Sequence, residues 1–162
     1  MHATTSRRAL PMLLLALVML ALGVPPALAD TSGGIRAGLS VDPDQFLFGG
    51  QLNFDPIGKH VYIVPSAELG LGDDLTTLSF NGDVQYRFPV SQGSDVRPYA
   101  GGGLSIWWFD PDGPGDSDTN VGVDVLGGIF FGEANGKPMF VDVKLDLTDE
   151  LPDWKFVFGV NF

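Results

Sequence analysis

Few residues of this sequence have the side chains that covalent catalysis requires, namely a nucleophile with a general base within hydrogen-bonding reach. His60 is the one histidine beyond the N-terminal segment. The serines at positions 66, 79 and 105 lie in other segments, and none stands in the G-x-S-x-G pattern of a nucleophile elbow. We interpret His60 as a turn residue. We predict that the chain is not an enzyme and has no catalytic residue.

A second group with possible chemistry is the acidic segment 110–119, which combines four aspartates with glycines and prolines. Oxygen-rich loops of this kind can bind Ca²⁺. The segment lacks the D-x-[DN]-x-[DN]-G spacing and the terminal glutamate of a calcium-binding loop. We therefore interpret it as a solvated acidic loop, and we predict neither a metal site nor a cofactor.

Charged residues also recur at every second position of several otherwise apolar or glycine-rich segments. Positions two apart point to the same face of a strand, so these charges would share one face of a sheet. Because they include both signs, they could satisfy one another as a buried ion network. The nine residues predicted to form this network are Arg36, Glu68, Asp83, Arg87, Asp124, Asp142, Lys144, Asp146 and Lys155.

The N-terminal segment has the three parts of a secretory signal. Arg7 and Arg8 precede an apolar run over 13–24, and the small-residue stretch 27–29 follows it. The run is shorter than the roughly 20 residues of a spanning helix. We predict a signal peptide over 1–29, cleaved after Ala29, and one domain over 30–162. Since the sequence contains no cysteine, that domain must fold without disulfides.

The charge balance restricts the possible partners of this domain. Of nine basic residues, Arg7 and Arg8 belong to the predicted signal, which leaves seven against twenty acidic residues. Such a balance repels nucleic acid and offers it no basic patch. Nucleic acid is therefore excluded as a predicted partner.

Alternation of apolar and polar residues dominates the rest of the chain, and only strands have this period of two. Strand lengths are close to the 9 to 11 residues that cross a bilayer. Between the strands no stretch shows helical spacing, so we predict an all-β, eight-stranded antiparallel up-and-down barrel, with an irregularity at Pro65. The predicted strands are 35–41, 46–54, 61–71, 78–88, 98–108, 121–131, 139–147 and 154–162.

The two faces of these strands differ in side-chain size. One face carries large aromatics, namely Phe46, Phe48, Phe54, Phe80, Tyr86, Phe88, Trp108, Phe131, Trp154, Phe156, Phe158 and Phe162. The other carries glycines and serines, namely Gly38, Gly49, Ser66, Gly70, Ser79, Gly101, Gly103, Ser105, Gly122, Gly128 and Gly159. The interior of an eight-stranded barrel is just wide enough for side chains to fill. We therefore expect the aromatic face to point outward into lipid, as in a transmembrane barrel.

Two motifs are more specific than the strands themselves: the glycine-rich stretch RPYAGGGL over 97–104, and a last strand in which apolar and polar residues alternate up to a terminal phenylalanine. With the signal and the eight strands, they resemble the OmpA/OmpX-type outer-membrane β-barrel superfamily of Gram-negative bacteria. The resemblance implies an outer-membrane location and contact with outer-membrane lipid. It also implies that the barrel assembly machinery reads a C-terminal signal formed by Trp154, Phe156, Phe158, Val160 and Phe162. Turns near Asp42 and Asp73 are shorter than the long loops usual in that superfamily.

We expect a monomeric outer-membrane protein with a structural or interaction role, whose lumen is closed by charged side chains. Two alternatives remain open at this point. One is a narrow porin-like channel for small solutes. The other is a soluble periplasmic barrel of lipocalin type, in which the apolar face would point inward.

Overall fold

The computed structural model describes residues 31–54, 56–73, 75–111, 117–132, 137–148 and 152–162. The predicted signal peptide, and its cleavage, lie outside these residues. Within them the chain forms eight strands: β1 Ser32–Val41, β2 Gln45–Asn53, β3 Val61–Gly72, β4 Leu75–Arg87, β5 Val96–Pro111, β6 Asp118–Phe131, β7 Met139–Asp146 and β8 Trp154–Asn161. No helix in this described part is long and apolar enough to span a membrane.

The strands form a closed barrel in which each strand pairs antiparallel with the next in sequence, and β1 pairs with β8. The seam joins Gly34 to Asn161 at one end and Val41 to Trp154 at the other. Both chain ends of the barrel are therefore at the same rim, and the β1–β2 turn lies at the opposite rim. The predicted all-β, eight-stranded up-and-down barrel is confirmed.

Burial alternates along the strands with the period that the sequence predicts. On β8, for example, Phe156 and Phe158 are exposed, whereas Lys155 and Val157 are buried. The other large aromatics of the apolar face are likewise exposed or half-buried, and the serines of the opposite face are buried. Apolar side chains thus cover the outside of the barrel, which is the reverse of a lipocalin.

Inward glycines leave room for large side chains on neighbouring strands. Gly128 is the register partner of Tyr99, and a Cβ at Gly128 would lie 2.6 Å from the Tyr99 Oη. Gly159 is paired in the same way with Phe140. Glycine is needed at these positions because the barrel is narrow and the partner's side chain occupies the space.

The predicted irregularity at Pro65 is present on one side of β3 only, the side that faces β2. The register between β3 and β4 runs through the Pro65–Gly82 pair without interruption. The carbonyl of Ile63 accepts a hydrogen bond from Phe54 N at 3.2 Å, so it faces β2. Pro65, two residues later, has its nitrogen on that same side. The β2–β3 register ends at Ser66 and Gln51, next to Pro65, although both strands continue. The missing donor therefore interrupts this ladder.

Candidate functional site

The barrel interior contains a carboxylate shared by two cations. The Glu68 side chain on β3 lies 2.7 Å from Arg36 Nε on β1 and accepts a 2.6 Å hydrogen bond from Lys155 Nζ on β8. Each of these side chains is at most 5 % exposed. In the barrel β3 is adjacent to neither β1 nor β8, so both ion pairs cross the lumen.

A second group is centred on Lys144 of β7. Its Nζ lies 2.5 Å from Asp83 Oδ1 on β4 and 3.5 Å from Asp124 Oδ1 on β6. Asp142, also on β7, lies 3.9 Å from Arg36 and accepts a 2.9 Å hydrogen bond from the Tyr99 hydroxyl. Arg36 therefore interacts with carboxylates of both β3 and β7, and positive and negative groups alternate across the interior.

Neutral polar side chains connect the two groups. Asn81 Oδ1 lies 3.3 Å from Lys155 Nζ and 2.8 Å from Ser105 Oγ. Ser105 Oγ is also 2.5 Å from Asp124 Oδ2. Through Asn81 and Ser105 the Glu68 group and the Lys144 group form one polar layer, which we call the ion layer. It comprises Arg36, Glu68, Asp83, Asp124, Asp142, Lys144 and Lys155.

Two of the nine residues predicted for the ion network lie closer to the rims than the other seven. The Arg87 guanidinium lies at the rim with the chain ends, 3.7 Å from the Tyr62 ring centroid, and donates a 2.7 Å hydrogen bond to Asn53 Oδ1. Asp146 lies near the opposite rim, where its carboxylate accepts hydrogen bonds from Leu147 N and Thr148 Oγ1, both at 2.8 Å. Asp146 is also the register partner of Asp124 and lines the same small cavity as Lys144 and Lys155, so it borders the ion layer.

Sequence reasoning missed a set of large apolar residues that also point inward. Together with Leu126 and Val157, three aromatic residues form a buried cluster: Tyr99, Phe130 and Phe140. Trp107 packs with Leu47 and Phe109 in a second cluster. A signal for them was present, because each occupies a position of the same strand parity as the inward charges or the small inward residues of its strand. Residue size, which separates the aromatic face from the glycine-rich face, does not reveal them.

The serines and the histidine considered for catalysis are not brought together. Ser66 and Ser105 bond to Asn81, and Ser79 donates to Glu68 at 3.3 Å. His60 lies in the turn before β3, where its ring packs edge-on against Tyr86 at 5.8 Å. The interpretation of His60 as a turn residue agrees with this position.

For a metal ion, the parts of the chain that the structure describes contain no group of three His, Cys, Asp or Glu side chains in suitable positions. Residues 112–116 of the acidic segment lie outside the described residues. Asp110 and Asp118, which flank them, are at the facing ends of β5 and β6.

A small cavity borders the ion layer. A cavity of about 10 Å³ lies between the ion layer and the rim opposite the chain ends, and it is lined by Ser105, Trp107, Asp124, Lys144 and neighbouring residues. A volume of this size holds a single water molecule at most. Side chains therefore fill the interior at this point.

The predicted C-terminal signal lies along the outside of β8. Trp154, Phe156, Phe158 and Phe162 are exposed, and Val160 is half-buried. The Trp154 and Phe156 rings are stacked at 6.3 Å with an interplanar angle of 8°. Phe162 follows the strand and donates a backbone hydrogen bond of 2.8 Å to Gly33 O. These side chains form one continuous outer stripe.

Comparison with known proteins finds no matching family model and no matching curated protein. Solved structures do match. The N-terminal β-barrel domain of Pseudomonas aeruginosa OprF has a TM-score of 0.66 at 19% identity, over 81% of this chain and 96% of that one. Neisserial surface protein A has a TM-score of 0.58 at 16% identity, over 81% and 93%. The attachment invasion locus protein Ail of Yersinia pestis has a TM-score of 0.54 at 12% identity, over 81% and 95%.

One prediction is corrected. The statement that the chain is not an enzyme is wrong as a conclusion, because the lack of a recognisable catalytic pattern in a sequence does not exclude an activity. The physical reason is that a fold supports many functions, which depend on the side chains placed on it.

The OprF domain, the neisserial protein and Ail share the closed eight-stranded architecture described above, at identities that bear on the fold alone. The predicted resemblance is thereby confirmed at the level of architecture: this chain has the fold of the small eight-stranded outer-membrane barrels of the OmpA/OmpX type.

Proposed function

We propose that this protein is a closed, non-conducting β-barrel of the outer membrane with a structural or interaction role. In this proposal it is a monomer, outer-membrane lipid surrounds its aromatic face, and the barrel assembly machinery inserts it. The N-terminal segment acts as the signal peptide that exports it.

The observation that carries the proposal is the set of ion pairs across the lumen. Arg36 and Glu68 join β1 to β3, Glu68 and Lys155 join β3 to β8, and Lys144 and Asp83 join β7 to β4. A buried charge that loses its partner costs several kcal/mol, so these contacts resist the separation that a pore would require. A permeating ion would have to displace them.

The membrane location is supported by the outer surface. Its exposed residues include Phe48 on β2, Phe80 on β4, and Phe156 and Phe158 on β8. Soluble monomers seldom expose apolar patches of more than a few hundred Å², whereas membrane barrels carry an apolar band flanked by aromatic residues. Lipid is the solvent that suits this face.

Two measurements test the proposal. The protein should be recovered in the outer-membrane fraction, and its electrophoretic mobility should change only when it is heated, since closed barrels resist denaturation by detergent. Reconstituted into planar bilayers, it should pass no steady ionic current. A folded monodisperse species in plain buffer would contradict the membrane location, and steady single-channel currents would contradict the closed lumen.

A further inference from the structure

We infer that the lumen has a second closure, an apolar plug that remains shut without the ion layer. We define the plug by Tyr99, Leu126, Phe130, Phe140 and Val157, the buried cluster on β5 to β8. The inference rests on the proposed function, since a barrel that conducts ions in its natural form would have no closed lumen.

The plug is held by contacts among its own rings. The Tyr99 and Phe130 centroids are 4.7 Å apart, and those of Phe130 and Phe140 are 5.9 Å apart. Aromatic pairs at such separations attract one another in addition to the area that they bury. Dispersion and hydrophobic contacts do not depend on the ionisation of a neighbouring carboxylate.

Glycines on the adjacent strands make room for two of the plug rings. Gly128 lies beneath the Tyr99 ring, and Gly159 lies beneath the Phe140 ring. Since neither glycine has a side chain, the rings extend over the adjacent strands and fill the cross-section between them. The Tyr99 hydroxyl also donates a 2.9 Å hydrogen bond to Asp142 of the ion layer, whereas the contacts between the rings involve no charged side chain.

Arg87 covers the plug from the rim where the chain ends lie. Its guanidinium is 4.4 Å from the Phe130 ring centroid and 3.7 Å from that of Tyr62. Cations bind over aromatic faces in this way. The plug has no member on β1 or β2. On that side three amide side chains are hydrogen-bonded to one another: Gln51 Nε2 and Asn53 Nδ2 both donate to Asn161 Oδ1, at 2.9 and 3.1 Å.

The two closures should therefore respond to different changes. High salt screens ion pairs, although less for buried pairs than for exposed ones. It does not weaken apolar packing. The ion layer and the plug are adjacent, since Arg36 of the ion layer is 5.9 Å from the ring centroid of Phe140 and Asp142 is the register partner of Val157. A barrel with a weakened ion layer should still be shut at the plug.

A cysteine inside the plug tests this directly. The natural chain has no cysteine, so Val157→Cys provides a single reactive thiol on a side chain of nearly the same size. In reconstituted, folded barrels, a small charged methanethiosulfonate reagent should leave this introduced thiol unmodified. The thiol should remain unmodified when Glu68→Gln and Lys155→Met remove the ion pair that crosses from β3 to β8.

Truncating the plug should reverse this protection. In the Val157→Cys background, Phe140→Ala and, in a separate variant, Phe130→Ala should each allow full modification of the introduced thiol. The reaction time is one in which the thiol of Val157→Cys alone stays unmodified. Phe80→Ala removes an aromatic ring from the outer face instead, and it should leave the thiol protected. Heat-modifiable mobility verifies that each variant is folded.

Each result has a defined consequence. Modification in the Glu68→Gln and Lys155→Met background, with the plug intact, overturns the inference, because the ion layer would then be the closure. Persistent protection in a folded plug-truncation variant overturns it as well. If neither truncation folds, the first comparison alone decides. Conductance of the unmodified barrel would instead refute the proposed function, so the two failures are distinguishable.

Discussion

The ring of Phe140 on β7 occupies the space that a side chain at Gly159 on β8 would take. The two residues are register partners, and a Cβ built at Gly159 would collide with the ring edge and would lie 2.6 Å from the backbone oxygen of Ile35. Because one of these neighbours is backbone, the collision cannot be relieved by a rotamer change alone. The pair thus fixes how tightly β7, β8 and β1 pack.

We expect Gly159→Ala to destabilise the folded barrel by about 1 to 3 kcal/mol, which is the usual cost of overpacking a filled interior. The measurement is the free energy of unfolding in detergent. Gly82→Ala is the matched control, since a Cβ at Gly82 meets no atom within 4 Å. Equal effects at the two positions would contradict the packing argument.

A charge on the outer face should be costly at mid-barrel. Phe156 is exposed and is the register partner of Val143, midway along β7. Phe156→Arg should cost about 2 to 4 kcal/mol, whereas the same change at Phe46, beside the β1–β2 turn, should cost about 0 to 1 kcal/mol. Unfolding in lipid vesicles measures both. The reverse order, or no difference, would show that this face does not lie in lipid.

The shared carboxylate of the ion layer gives a third prediction. Glu68→Gln leaves Arg36 and Lys155 buried without their common partner, and we expect a loss of about 3 to 5 kcal/mol. Adding Lys155→Met removes one of the two buried cations that have lost their common carboxylate, so the double variant should be more stable than Glu68→Gln alone. A double-mutant cycle on unfolding free energies measures the coupling. Strictly additive effects would show that the pair contributes nothing.

Phe162 should matter more for assembly than for the stability of the finished barrel. Its side chain is 69% exposed, so deletion should cost less than the roughly 1.5 to 3 kcal/mol of a fully buried aromatic. If the assembly machinery reads this residue, deletion should strongly lower the amount in the outer membrane while protein refolded in detergent keeps nearly its original stability. Normal outer-membrane levels at native expression would refute this role.

The sequence predicted the strands well where apolar side chains alternate, and less well where they do not. β1 begins at Ser32 rather than at the predicted Ile35. The added residues, Ser32 to Gly34, have no apolar side chain to show a period, yet they pair with β2. β5 continues to Pro111, beyond the predicted end at Trp108. The prediction ended too early because consecutive aromatic residues there hide the alternation.

The pairing of charges was beyond the reach of sequence pattern. Parity places Lys144 and Lys155 on the inward face, but it does not reveal that they are direct register partners on β7 and β8. Their repulsion is offset because each approaches a different carboxylate, Asp83 for Lys144 and Glu68 for Lys155. Those contacts join strands that are not neighbours, so they depend on the curvature and tilt of the closed barrel.

The seam between β1 and β8 also constrains the order in which the barrel forms. Every other strand pair joins neighbours in sequence, whereas the seam joins Gly34 to Asn161, the two ends of the folded region. Loop-closure entropy makes such distant pairings slow. Before this pairing forms, a curved sheet would present two free edges, which are templates for aggregation. The time spent in that open state, more than the stability of the finished barrel, should limit the yield of refolding at high protein concentration.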